Sequence, residues 1–442
     1  MNVGSEKREK TARGQKEGLA MNMTQIMALI IFLVVMALIM TEKIDRTVAA
    51  IGGAMLMVLF KVIPSDKVVG YIDFNTIGVL IGMMLFVGVI KNSGLFEYLA
   101  IFTAKKAKGD AWKILISFAV ITAVLSGLLD NVTTVLLIGP MTLIITQILQ
   151  LNPIPFLITE ILASNIGGTA TLIGDPPNIM IGSAAGLGFN DFIMNVAPAA
   201  FVVLIVTVAI LYFVYCKKLC VEEQFKKEVM ELDEKKAIKD KALLIKSLVG
   251  MALVLIGFIT HDQLGVSSAI VALSGAALML LIGKQDVEEV ICHIEWPTII
   301  FFAGLFVLVG GLEEVGLIHA LANSLISITA GKPVMMMILL LWLSAIVSSF
   351  LDNIPFVATL IPLILTMGQQ GVDITPLWWA VSLGACFGGN GTLIGASANV
   401  VLANIGKKNG HPIGFGQYMK VGFPLMILSV VISTIYLLIR FA

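Results

Sequence analysis

The sequence predicts an all-α polytopic membrane protein built from two inverted repeats, each with a re-entrant hairpin and a broken transmembrane helix. Three observations predict it. The 442 residues are 58% hydrophobic and 13% charged, with a mean hydropathy of +0.98, well above the apolar share of an ordinary soluble domain. Apolar runs of bilayer-crossing length recur along the chain, and three polar motifs that interrupt them in one half return in the same order in the other.

Composition also excludes several classes. Twenty-nine basic residues balance 29 acidic ones, and no basic stripe with interleaved aromatics suggests nucleic acid. The four cysteines, Cys216, Cys220, Cys292 and Cys386, have no zinc or redox spacing, and no GxxxxGK[ST] loop points to an ATPase within this chain. No nucleophile and base constellation suggests an enzyme, and no cofactor is called for.

From the N-terminus, residues 1–22 form a polar tail in which Lys7, Arg8, Lys10, Arg13 and Lys16 mix with acids. The apolar run after it shows no small-residue cleavage site, so the tail reads as an extension rather than a signal peptide. Residues 23–216 carry the first transmembrane repeat, with apolar runs at about 24–40, 47–63, 75–91, 112–129, 132–149, 156–186 and 196–216, judged against the roughly 20 residues a spanning helix needs. Residues 217–242 are a lysine-rich linker, cytoplasmic by the positive-inside rule; its periodicity suggests a surface helix, and a solvated tether is the plainer reading. Residues 243–442 carry the second repeat, with runs at about 243–260, 264–283, 297–312, 333–351, 354–367, 377–404 and 422–441.

The repeat is explicit. TIGVLIGMMLFVGVIKNSGLFEYLA at 76–100 answers TIIFFAGLFVLVGGLEEVGLIHALA at 298–322. SGLLDNVTTVLLIGPM at 126–141 answers SSFLDNIPFVATLIPL at 348–363, pairing Asp130 with Asp352 and Asn131 with Asn353. GGTATLIGDPPN at 167–178 answers GGNGTLIGASAN at 388–399, pairing Thr171 with Thr392 and Asn178 with Asn399. Internal repeats of this kind mark secondary transporters. Counting outward from the linker puts the loops holding Lys43 with Arg46, Lys105 with Lys106, and Lys407 with Lys408 on the linker's side, which gives the halves opposite orientations. The same count places the basic tail outside, against the positive-inside trend. The central position of LDNVTT and LDNIPF in their apolar units favours hairpins over pairs of full spans.

The stretch ASNIGGTATLIGDPPNIMIG at 163–182 sits in a spanning segment, yet its glycines and the pair Pro176 and Pro177 break a helix. Unwound backbone persists at membrane depth only where protein or a wet cavity satisfies it. Asn165, Gly168, Thr169, Thr171, Asp175 and Asn178, with Asn390, Thr392 and Asn399 of the second copy, are therefore candidate binding residues. Interhelical hydrogen bonding is their plainer reading. Asp130 and Asp352, with Asn131, Thr133 and Asn353 beside them, are candidates for a Na⁺ or proton site, since an acid at bilayer depth is costly unless paired, hydrated or functional; each also suits a helix cap. Asp175 has no counterpart, Ala396 standing in its place. Glu160 is a weaker relay candidate, whereas Glu97, Glu313 and Glu314 read as solvated connectors. His261, His293, His319 and His411 read as surface histidines. Cys386, just before the second break, is a candidate soft ligand for trivalent arsenic, although a lone buried cysteine is ordinarily a small hydrophobe.

SGLLDNVTTVLLIGP followed by ASNIGGTATLIGDPPNIMIG resembles the ArsB/NhaD group of the ion transporter superfamily, whose members carry a citrate transporter-like domain; the P protein-like branch is the nearest pattern. The resemblance covers about residues 24–441. It implies a scaffold and a transport domain moving in an elevator fashion, hairpin tips at Asp130-Asn131 and Asp352-Asn353, and substrates that include arsenite or antimonite, Na⁺ exchanged for H⁺, and small anions. The expected function is secondary active transport across the cytoplasmic membrane, first as arsenite or antimonite efflux driven by the proton-motive force and second as Na⁺/H⁺ antiport. A carboxylate or other small-anion carrier ranks third, because no Arg or Lys is expected within the membrane. Expected partners are the lipid bilayer, a small inorganic ion or oxyanion, and H⁺ or Na⁺ as coupling ion; a separate ATPase subunit and a second copy in a homodimer are candidate protein partners.

Overall fold

The computed structural model describes residues 21–41, 43–216 and 219–442; the N-terminal tail to residue 20 and Lys217 and Lys218 of the linker lie outside the described residues. Among the described residues there is no strand, and nine helices are long and apolar enough to cross a bilayer.

The first repeat opens with α1 (Met23–Thr41), α2 (Arg46–Leu59) and α3 (Phe74–Lys91), then the short connector α4 (Leu95–Lys106). Hairpin 1 follows as α5 (Ala111–Leu128) and α6 (Asn131–Ile148). The first broken helix is α7 (Ile154–Thr169), an unwound stretch at 170–175, and α8 (Pro176–Ala185); α9 (Phe189–Asn195) and α10 (Ala197–Tyr215) close the repeat. After α11 (Glu223–Glu231) in the linker, the order recurs: α12 (Lys241–Leu264), α13 (Ser268–Gly283), the short α14 (Val287–Ile291), α15 (Trp296–Glu314) and the connector α16 (Leu317–Ile328). Hairpin 2 is α17 (Pro333–Phe350) and α18 (Asn353–Gln369); the second broken helix is α19 (Thr375–Gly388) and α20 (Ser397–Lys408) with 389–396 unwound, and α21 (Phe415–Phe441) ends the chain.

Local chemistry accounts for the starts and turns. Asp45, Asp73, Asp130, Asp240 and Asp352 each accept a backbone N–H of the helix they precede, which satisfies donors that the helix leaves open. Gly94 and Gly316, repeat partners, take φ of 84° and 77° just before α4 and α16, a left-handed turn that favours glycine. Pro176 and Pro177 open α8, where a missing N–H costs little.

Packing interlocks the halves. In each repeat the hairpin lies against the first arm of its own broken helix, α5 on α7 and α17 on α19, while the second arm crosses to the other repeat's hairpin, α20 on α6 and α8 on α18. The remaining helices pair as α3 with α13 and α2 with α15. The open end of hairpin 1 shares a polar cleft with the loop from Asn409 to Pro412, and Val229 of the linker packs with Ala107, Ala111 and Leu149 beside it.

Several expectations change. The linker is docked rather than a solvated tether: Val229 is fully buried, Glu234 pairs with Lys105, and Lys239 pairs with Glu97 at 3.1 Å. Glu97 is thus engaged, as is Glu314, which receives Lys67 at 2.6 Å and the Tyr71 hydroxyl at 2.5 Å; Glu313 is exposed. His261 is buried in the last turn of α12 with Nδ1 3.1 Å from the Val266 carbonyl, because that helix runs a turn further than its apolar run and carries the ring inward.

Candidate functional site

The two breaks are held open by the same side chains in each repeat. Asn178 Nδ2 donates to the carbonyls of Gly168, Thr169 and Thr171 at 3.4, 3.0 and 2.9 Å. Asn399 Nδ2 donates to those of Gly389 and Thr392 at 2.7 and 2.9 Å. Thr171 donates to the Gly127 carbonyl of hairpin 1 at 2.5 Å, and Thr392 donates to the Ser349 carbonyl of hairpin 2. These bonds satisfy carbonyls that would otherwise be stranded away from water. The approach is close: a Cβ on Gly167 would stand 2.0 Å from the Ala123 carbonyl oxygen, and one on Gly168 would stand 2.5 Å from that of Gly174.

The unwound stretch and both tips meet at Asp175. Its side chain makes no cap bond to α8. Instead Asn353 Nδ2 donates to both of its carboxylate oxygens at 3.2 Å, and Asn131 Nδ2 donates to Oδ1 at 3.3 Å. Asp175 is fully buried, and Asn131 and Asn353 are nearly so. Together with Asp130, Glu295, Thr298, Arg46 and Ser397 they line a cavity of about 20 Å³, room for roughly one small ion or water. Asn131 Oδ1 has no partner there. Behind the cavity, Asn165 Nδ2 joins the halves by donating to Asn390 Oδ1 and Asn399 Oδ1, both at 2.9 Å.

Asp130 and Asp352 act as caps, accepting from the backbone N–H of Thr133 at 2.8 Å and of Ile354 at 3.2 Å. Their second roles differ. Asp352 Oδ2 receives Arg46 Nη1 at 3.1 Å and Ser397 Oγ at 2.7 Å, and it faces a wider cavity of about 280 Å³ lined also by Asp45, Ile44, Phe350 and Val400. The expectation that no basic side chain reaches the membrane site is therefore corrected. Arg46 starts α2 at the cavity's edge, and its length carries the guanidinium inward. Glu295, which precedes α15 without capping it and accepts from Thr298 Oγ1 at 3.2 Å, was also missed by reading the sequence. The available signal was the repeat itself, since Glu295 stands 222 positions after Asp73, the same offset that relates Thr76 to Thr298.

Of the residues singled out from sequence, Asp130, Asn131, Asp175 and Asn353 line the central cavity and Asp352 lines its neighbour. Asn165 and Asn390 form the layer behind. Thr169, Thr171, Asn178, Thr392 and Asn399 brace the breaks, Gly168 provides the close crossing, and Thr133 contributes its backbone N–H to the Asp130 cap. Cys386 is buried in the wall, its Sγ 3.6 Å from Asn178 Oδ1, which Ser382 also donates to at 2.7 Å. Glu160 is buried within the first repeat and accepts from Thr142 Oγ1, away from the cavity. Among the described residues no cluster of three or more His, Cys, Asp or Glu side chains could hold a metal ion as a group.

Comparison with known proteins agrees with this architecture. Residues 36–384 match the CitMHS citrate transporter family. A 46 kDa membrane protein of Mycobacterium leprae is 40% identical over 425 residues, covering 94% of this chain and 99% of its own length. An uncharacterized transporter of Mycobacterium tuberculosis is 42% identical over 424 residues, covering 94% and 98%. The human P protein is 32% identical over 490 residues, which span 92% of this chain and 58% of that longer protein. Among solved structures, the YdaH transporter of Alcanivorax borkumensis matches with a TM-score of 0.55 over 94% of this chain and 98% of its own, at 16% identity, a likeness of fold alone. The chain, a multi-pass transporter of the cytoplasmic membrane, belongs to the CitMHS citrate transporter family of the ion transporter superfamily.

Proposed function

We propose that the protein is a secondary active transporter that exchanges Na⁺ for H⁺, with Asp175, Asp130 and Asp352 as the coupling-ion carboxylates and Asn131 and Asn353 as neutral ligands. One observation carries the reading: a small cavity of about 20 Å³ is lined by Asp130, Asp175 and Glu295, by the amides of Asn131 and Asn353, and by Arg46. Oxygen ligands at that size suit a small hard cation or a proton. Movement is of the elevator type. The hairpins and broken helices form one carrier, which slides against a scaffold of α1–α3 and α12–α15 and exposes the site alternately at the two ends.

Arsenite or antimonite efflux driven by the proton-motive force draws on the family resemblance and on Cys386, a single thiol beside Asn178 and Asp175 that is not among the residues lining the cavity. It ranks below cation exchange on this geometry. A carboxylate substrate is the second reading. The family's description as citrate transporters and the guanidinium of Arg46 beside the wider cavity favour it, since Arg pairs with carboxylates in a bidentate fashion.

Everted vesicles from a host lacking its own exchangers separate the three. Addition of Na⁺ is expected to dissipate an imposed proton gradient, whereas arsenite and citrate leave it unchanged. Accumulation of labelled citrate or arsenite without any response to Na⁺ overturns the proposal.

A further inference from the structure

Arg46 is fastened to the scaffold and reaches into the carrier. On the scaffold side, Nη2 donates to Thr298 Oγ1 at 3.2 Å, and the guanidinium lies 5.2 Å from the ring centroid of Phe301, both on α15. On the carrier side, Nη1 donates to Asp352 Oδ2 at the tip of hairpin 2 and to Ser397 Oγ at the first residue of α20. Ser397 in turn donates to the same Asp352 oxygen at 2.7 Å. One side chain therefore ties two moving elements to a fixed one, and only a forked, planar cation offers donors in all three directions. Phe301 adds a cation–π contact on the scaffold side, so the guanidinium stays with the scaffold when the carrier parts from it.

The arrangement has no charged counterpart at the other end. The repeat offset of 222 that relates Asp130 to Asp352 sets Ser268 opposite Arg46, and each is the first residue of its helix, α13 and α2. At that second junction Asn75 donates to Ser268 Oγ at 3.3 Å and to Ser183 Oγ at 3.2 Å, and Ser183 donates to Asp73 Oδ1 at 2.9 Å. Of these, only the Asn75 to Ser268 bond joins the two repeats, and no ion pair accompanies it among the described residues. The other hairpin tip, at Asp130, is bonded to its own helix and to no basic group among the described residues. Among the described residues, then, the Arg46–Asp352 pair is an ionic tie at one end of the carrier's travel.

The same ion pair occupies a seat that cargo would need. Asp352 Oδ2 faces Arg46, and Arg46 and Ser397 form the shared wall between the central cavity and the wider one. We infer that Arg46 is a built-in competitor for the transported cation: its guanidinium holds Asp352 while the carrier is empty, and a bound cation must displace it before the carrier can leave the scaffold. Breaking the tie without replacing the charge strands a carboxylate in a largely buried site, which is strongly unfavourable; breaking it with a cation already in place does not. Movement is therefore restricted to the loaded carrier, the condition an exchanger needs to avoid leak. The inference rests on cation exchange as the transported reaction.

The test uses the full chain in proteoliposomes, with wild type, R46Q and R46K. Loss of the competitor in R46Q is expected to lower the Na⁺ KM roughly tenfold, the scale of one charge-assisted hydrogen-bonded pair. It is also expected to allow labelled Na⁺ to leave the liposomes without a counter-ion. R46K, with charge but no fork, should fall between. A second readout needs no transport. Cysteines introduced by I44C and V400C, in a background with the four native cysteines replaced, line the wider cavity from the scaffold and the carrier. A bifunctional thiol reagent should join them readily without Na⁺, and more slowly with Na⁺, in R46Q or in D352N. If wild type exchanges Na⁺ for H⁺ but R46Q keeps its KM and its strict exchange, the inference is overturned. Cross-linking indifferent to Na⁺, R46Q and D352N overturns it as well, even if R46Q itself transports poorly. Absence of Na⁺ exchange in wild type would instead remove the proposed function, a result the cross-linking arm distinguishes.

Discussion

Asn353 of the second repeat donates its side-chain nitrogen to both carboxylate oxygens of Asp175 of the first, at 3.2 Å each. The two residues are 178 positions apart, and each sits where its own repeat unwinds or turns. Asp175 also accepts from Asn131, so an acid that lacks a repeat partner is held by amides from both hairpin tips. Removing its charge should abolish ion-coupled transport. D175N is expected to reach the membrane and elute as a monodisperse species, yet to give no Na⁺-dependent proton movement in everted vesicles. N353A should retain transport with a Na⁺ KM raised about tenfold, the loss of a hydrogen bond to a charged group. Wild-type kinetics in D175N would remove Asp175 from the site.

Asn178 and Asn399 should behave differently, because they close the breaks rather than face the cavity. N178A strands buried carbonyls of Gly168, Thr169 and Thr171, at a cost of about 2–4 kcal/mol. The expected result is a lower unfolding temperature in detergent, with whatever fraction remains folded keeping a near-normal KM. An unchanged melting curve with a shifted KM would reassign Asn178 to the binding surface.

Glu160 provides a control. Its carboxylate accepts from Thr142 Oγ1 and lies away from the cavity, with Oε2 unpartnered. E160Q preserves shape and can still accept that bond, so transport should persist at no less than about half the wild-type rate and stability should hold within roughly 1 kcal/mol. Loss of proton coupling in E160Q would instead make it part of the proton route.

The docked linker gives a prediction in acid. Lys105 beside Glu234 holds that carboxyl below its ordinary value of 4.5. A depressed acid contributes to docking above its ordinary value and loses that contribution as the pH falls through its folded value. The pair is partly buried at the protein's surface, where ion pairs contribute little, so E234Q should change trypsin cleavage of the 219–242 segment only slightly at neutral pH. V229D places a charge where a side chain is fully buried and should expose the segment to trypsin at every pH. Equal cleavage of wild type and V229D would mean that Val229 does not hold the linker.

Cys386 tests the arsenite reading directly. It is fully buried, bonded to Asn178 and beside Asp175, so C386S, which keeps a small donor at both, should leave transport of any solute within about twofold, on the scale of replacing weak thiol bonds by a hydroxyl. Selective loss of arsenite movement in C386S would restore arsenite as the primary substrate.

The sequence by itself determined the membrane character, the two-fold repeat, the position of both LDN tips and the two breaks, because these depend on local chemistry. Apolar length, glycine and proline placement, and the capping habit of Asp are all legible within a dozen residues. It also singled out Asp175 as the unmatched acid. Tertiary structure decided which polar residues face a cavity and which brace the fold. Asn178 and Asn131 look alike as intramembrane asparagines, yet one satisfies carbonyls of its own break and the other reaches Asp175. Arg46 shows the limit most clearly. Three positions after Lys43 it reads as a loop residue of the positive side, and only the packing of α2 against α15 brings its guanidinium to an acid 306 positions away. A long side chain at a helix start samples a wide arc, and its partner is fixed by how the two repeats interlock rather than by anything nearby in the chain.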